Sequence, residues 1–185
     1  MIKTRVILSA ALAFAVTATA SQAAVTVIGG GMAQACSKAA LSGATEFKFE
    51  AVCTMALDSE LLSMRDRAGT YVNRGVLKLR RKEFASAEFD FNKAIQAKPD
   101  LGEAYINRGA SSVGARRYAE GLTDLNKALE LGVDEPEKAY YNRALAYEGL
   151  DNIKAAYFDY QKAIELKPDW EQPKKELARF SVGRR

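Results

Sequence analysis

Few residues in this chain can do chemistry, and their types narrow it quickly. The 185 residues include no histidine and two cysteines, Cys36 and Cys53. Without histidine there is no Ser-His-Asp or Cys-His nucleophile, and the commonest zinc ligand is missing. Two thiols alone are too few for a structural zinc site. Reactive thiol pairs usually sit as C-x-x-C, whereas these are 17 residues apart. The run Gly29–Gly31 is not followed by the lysine of a phosphate loop. No carboxylate pair stands on an apolar wall that would raise its pKa for acid–base work. No catalytic, metal or cofactor site is expected. The rival reading, an envelope enzyme or thiol-redox protein, rests on Cys36 and Cys53 alone.

The remaining polar groups recur. "YVNRG" at Tyr71–Gly75 returns as "YINRG" at Tyr105–Gly109 and as "YYNRA" at Tyr140–Ala144. Each arginine has an aspartate 16 residues later: Arg74 and Asp90, Arg108 and Asp124, Arg143 and Asp159. In a helical hairpin those positions face each other, so three salt bridges are expected. Shielded and repeated, they would fix the register of each hairpin more than they stabilise it. The rival use, an arginine ladder for an anionic ligand, is weaker because each arginine has its own partner. Asn73, Asn107 and Asn142 precede the arginines by one residue, about 100° away around a helix. An amide carries both donors and an acceptor. That suits the backbone of an extended peptide, and equally hydrogen bonds between neighbouring repeats that shape the superhelix.

The elements that position these groups follow from the register. Gly75, Gly109 and Ala144 align, as do Phe84, Tyr118 and Ile153, then Ala87, Gly121 and Ala156, then Ala94, Ala128 and Ala163. Small residues let two helix backbones approach, and the rings fill the wider gaps. "KPD" at Lys98–Asp100 and Lys167–Asp169 stops a second helix, because proline cannot continue it. On these residues, from about Ala68 to Trp170, the chain resembles the tetratricopeptide repeat family, a 34-residue helix–turn–helix unit. Tyrosine replaces the family's early tryptophan, arginine replaces the leucine before the glycine, and Gly121 replaces an alanine. The resemblance implies an all-α, right-handed α-solenoid with a C-terminal capping helix. It also implies a concave face lined by the first helix of each pair, which carries the three asparagines. Val76, Ile106, Tyr141 and Leu145 would grip a chain there, with Lys138 at the rim. Val72 and Val76 stand where a clamp for chaperone tails would need polar groups, so that specificity is not implied.

The N-terminus has the layout of a secretory leader: Lys3 and Arg5, an uncharged apolar run Val6–Ala18, then small residues. The run is too short for a bilayer span of roughly 20 residues. Cleavage is expected after Ala23, with Ala20 as the alternative. Loss of Lys3 and Arg5 takes the formal charge from +4 to about +2, interleaved with acids, which gives nucleic acid little to hold. The expected organisation is 1–23 leader; 24–31 flexible segment; 32–67 diverged hairpin stapled by Cys36–Cys53; 68–101, 102–135 and 136–169 repeats; 170–185 capping helix, with Leu177 and Phe180 on one face, and basic tail. The four β-prone residues before the glycines could dock on a neighbour, the chain's own groove included, although a frayed terminus is the plainer expectation. Export makes a disulfide the default for two cysteines. Together these lead to a periplasmic, non-catalytic scaffold, monomer or dimer, that binds a peptide or partner protein segment.

Overall fold

In a computed structural model, residues 7–10, 20–28 and 31–183 are described. Among the described residues, four helix pairs are followed by a single helix: α1 (Met32–Leu41) and α2 (Phe47–Ser59), α3 (Met64–Arg80) and α4 (Phe84–Ala97), α5 (Gly102–Gly114) and α6 (Tyr118–Leu131), α7 (Pro136–Gly149) and α8 (Ile153–Leu166), then α9 (Glu171–Leu177). Two four-residue strands, β1 (Ile7–Ala10) and β2 (Phe180–Gly183), pair antiparallel. The rest is an all-α solenoid.

Each hairpin closes where side chains are smallest. A Cβ on Gly75 would lie 2.4 Å from the Phe91 ring. In the next hairpin α5 and α6 approach glycine to glycine: a Cβ on Gly109 would lie 3.1 Å from the Gly121 carbonyl, and one on Gly121 3.1 Å from the Gly109 carbonyl. Alanine at 121 would therefore push the helices apart, which accounts for that departure from the repeat pattern. The three turns share one device. Lys82, Arg116 and Asp151 take positive φ (62°, 62° and 59°). The next backbone N–H then donates back to Lys78, Ser112 and Tyr147 respectively, satisfying a terminal carbonyl. Proline ends α4 and α8. In the middle copy, where Val133 replaces it, Gly132 at φ 74° ends α6 instead.

The diverged first hairpin is tied on at several points. Cys36 and Cys53 form a disulfide and pack on Leu77 of α3, all three fully buried. The Glu60 carboxylate accepts from the Met32 and Ala33 N–H groups at the start of α1. Arg80 at the end of α3 donates to the Ala40 and Ala44 carbonyls.

The C-terminal cap differs from the sequence expectation. The helix stops at Leu177, and Phe180 belongs to β2 rather than to a shared helix face with Leu177. Its ring lies 5.9 Å from both Tyr157 and Tyr160, while Trp170 covers Tyr141 at 4.9 Å. Rings close the last repeat, so a single short helix suffices. Extended pairing with β1 takes the backbone out of helix at Phe180.

Candidate binding groove

The inner helices α3, α5 and α7 carry the recurrent "Y-x-N-R". The arginines turn away from the concave face and into the joints between helices. Arg74, Arg108 and Arg143 donate through Nε and one terminal nitrogen to both oxygens of Asp90, Asp124 and Asp159, at 2.6–3.0 Å. Each guanidinium also lies 5.1–5.5 Å from the centre of its own tyrosine ring, Tyr71, Tyr105 or Tyr140. The hydrogen bonds to Asp124 and Asp159 raise the Arg108 and Arg143 pKa, against a desolvation that lowers it.

The arginines have a second partner that the 16-residue spacing does not reveal. Arg108 donates to Asn92 at 2.7 Å and Arg143 to Asn126 at 2.8 Å, both on the outer helix of the preceding hairpin. Arg74 reaches Thr54 of α2 in the same way, at 3.0 Å. One guanidinium thus fixes both its own hairpin and the joint to the one before. The sequence signal was the shared "FNKA" and "LNKA", one residue after the buried Phe91 and Leu125.

The asparagines face the opposite way. Asn73, Asn107 and Asn142 are fully buried, and what covers them is the chain's own residues Ala20–Ile28. Each amide brackets one residue of this segment, accepting its N–H and donating to its C=O. Asn142 takes Ser21 (2.7 and 2.7 Å). Asn107 takes Ala23 (3.0 and 2.6 Å). Asn73 takes Val25 (2.9 and 2.8 Å). Ser37 of α1 adds a fourth bracket, accepting from the Val27 N–H and donating to the Val25 carbonyl. An amide here does what an adjacent β-strand does in a hydrogen-bonded pair.

The geometry has a simple period of two residues of extended chain per repeat. Alternate side chains therefore enter the wall. Ala23 is fully buried and Val25 and Val27 nearly so, whereas Thr26 is exposed and Ile28 is 84% exposed. Val25 joins Val72 and Val76 in one apolar cluster. Ala23 sits with Ile106, Ala128 and Ala139. Ala20 packs on the cluster that holds Tyr141 and Leu145. Gly69 of α3 supplies the room for Val25: a Cβ there would lie 2.9 Å from a Val25 methyl. The segment runs from α7 back to α1, opposite to the order of the repeats.

Two expectations are corrected. The concave wall is not free, and Ala24–Ile28 is not a loose joint. The reason is the fit just described, with polar brackets and small apolar recesses meeting an alternating extended chain. Gly29 and Gly30 lie outside the described residues, as does much of the stretch read as a leader. Val76, Ile106, Tyr141 and Leu145 are covered rather than exposed. Lys138 donates to Glu135 at 2.5 Å and is not among the groups that hydrogen-bond the segment. Ser37 lies in the diverged hairpin, and Gly69 is answered by Glu103 and Lys138 in the later repeats, so no recurrence picks either residue out.

The tetratricopeptide repeat model matches residues 68–101 and, in a second version, residues 137–169. No curated protein matches the chain. Among solved structures, the Arabidopsis OM64 TPR domain is similar over 63% of this chain and 96% of its own, at 23% identity and TM-score 0.59. The second TPR domain of human RPAP3, solved in complex with an HSP70 peptide, gives 63% and 96% coverage at 22% identity and TM-score 0.57. MamA from Desulfovibrio magneticus covers 80% of this chain and 82% of its own, at 18% identity and TM-score 0.62. With the repeat unit matched on both sides and the hairpin between built the same way, this chain carries tetratricopeptide repeats.

Proposed function

We propose that the chain is an exported, non-catalytic scaffold that holds an extended segment of a partner protein in its concave groove. The observation that carries this reading is the asparagine series, which brackets the backbone of alternate residues without regard to side chain. Side-chain selection is left to the recesses, which admit small or β-branched residues. The second TPR domain of human RPAP3, which shares this fold, was likewise solved in complex with a peptide.

Periplasmic location is part of the proposal. It rests on the leader-like N-terminus and on a disulfide, which persists in oxidising compartments. The thiol-redox alternative gains no support from the cysteines. Both are fully buried and bonded to each other, where a reactive thiol needs access.

Cleavage of the leader after Ala23 would decide how much groove a partner can use. Ala24–Ile28 would stay at Asn73 and Ser37. The brackets at Asn107 and Asn142 would be released, and the partner's segment would lie there. A crosslinked pull-down from the envelope fraction tests this with wild type, Asn107→Ala and Asn142→Ala. Each substitution removes two hydrogen bonds to the held segment, worth about 1 kcal/mol apiece, so binding should fall roughly tenfold or more. The same captured band should fade in both variants while their helical content and melting persist. A band unchanged in both would contradict the reading.

A further inference from the structure

Cleavage after Ala23 would sever a peptide bond that lies inside the groove. Water adds across the C–N bond, leaving a carboxylate on Ala23 and an ammonium on Ala24. Ala24 would be held from behind, because Asn73 brackets Val25 at 2.9 and 2.8 Å and Ser37 holds Val27. The new ammonium would therefore stand at a fixed point, next to the Asn107 bracket.

From this geometry we propose that the mature groove captures the free carboxyl end of a cleaved leader peptide. The inference rests on the groove reading and on the cut after Ala23. A peptide laid where Ser21–Ala23 lie would end with its carboxylate against the Ala24 ammonium. One carboxylate oxygen would keep the donation from the Asn107 amide, now 2.6 Å from the Ala23 carbonyl. Hydrogen bonds between charged groups are about twice as strong as neutral ones. The last side chain would enter the recess of Ile106, Ala128 and Ala139, which Ala23 fills with no exposure. A larger side chain would have to displace those packed neighbours. Two residues earlier, the position of Ser21 is only half-buried and is read by Asn142 through backbone alone. The groove thus selects a carboxyl-terminal alanine, the end that cleavage after Ala23 would release. The mature chain's own first residue would supply the charge that recognises it.

The test uses the exported chain, with its start at Ala24 established by intact mass. Binding is measured for the peptide TATASQA, which corresponds to residues 17–23, as the free acid and as the C-terminal amide. A third peptide carries leucine in place of the final alanine. The free acid should bind about tenfold more tightly than the amide, and the leucine peptide should lose a comparable factor. Native mass spectrometry of the exported protein should find a co-purifying peptide ending in alanine. Acid and amide binding alike would overturn the carboxylate pairing while leaving the backbone-reading groove in place. Failure of all three peptides, or a mature chain starting anywhere but Ala24, would also overturn the proposal. If the envelope pull-down still depends on Asn107 in that case, the general groove reading survives.

Discussion

Replacing Asp90 with alanine should cost about 3–5 kcal/mol of stability, more than the same change at Asp124 or Asp159. The three aspartates occupy one repeat position, but their surroundings differ. The Asp90 side chain is fully buried and receives two cations. Arg74 donates at 2.6 Å and Lys78 at 2.9 Å, and both are largely buried themselves. Removing the carboxylate leaves two positive charges close together with little water. Lys78 retains only Glu50, at 3.8 Å. Asp124 and Asp159 each hold one arginine, and their side chains keep 12% and 10% exposure. Water can partly replace them, so their loss should cost closer to 1–3 kcal/mol. Urea titration of the three single variants checks the order. Equal, small effects at all three would contradict this account of the hairpin joints. Unchanged melting of Asp124→Ala with stronger anion binding would favour an anion ladder instead.

Removing the disulfide, as Cys36→Ser with Cys53→Ser, should cost about 3 kcal/mol. That is the chain-entropy value for closing a loop of this size. The loss should concentrate in α1 and α2. This hairpin lacks the glycine crossings at Gly75 and Gly109 of the next two copies and borrows its ties from α3. Arg67, Arg74 and Arg80 all reach across to it, at Leu57, Thr54 and the Ala40 and Ala44 carbonyls. Opening the hairpin also removes Ser37 from the groove, so the Val27 amide should lose protection with it. Thermal melts of the double variant, with hydrogen exchange over residues 32–62, test this. A melt within about 1 kcal/mol of wild type would mean that the non-covalent ties alone hold the unit.

Much of the framework could be read from residue spacing. Helical hairpins leave a strong trace, because small residues must recur where backbones cross and rings must recur beside them. The Arg–Asp spacing was equally legible, since two positions facing each other across a hairpin keep a constant separation. The second arginine partners were not. Asn92 and Asn126 belong to the neighbouring hairpin, and one polar residue on an outer helix carries no mark of its partner. The asparagines left two roles open for the same reason, because an amide's neighbours in sequence do not say what it meets in space. The β-prone "VTVI" suits an extended chain, yet the same residues also suit a loose tail. What distinguishes them is the depth of the recesses, set by Gly69, Ile106 and Ala139 on three different helices. At the other end, Leu177 and Phe180 are spaced like a helix face, but the strand that Phe180 joins has its partner at the opposite end of the chain. A local period cannot report that pairing.

The central claim is that inner-helix asparagines grip an extended backbone, and Val25 tests it most directly. Its amide is present wherever the leader is cut, and its N–H donates to Asn73 within a buried cluster. Hydrogen exchange on the exported chain should show the Val25 amide protected in wild type and released toward the free rate in Asn73→Ala, with α4–α8 unaffected. A Val25 amide that exchanges freely in the wild-type chain would contradict the account.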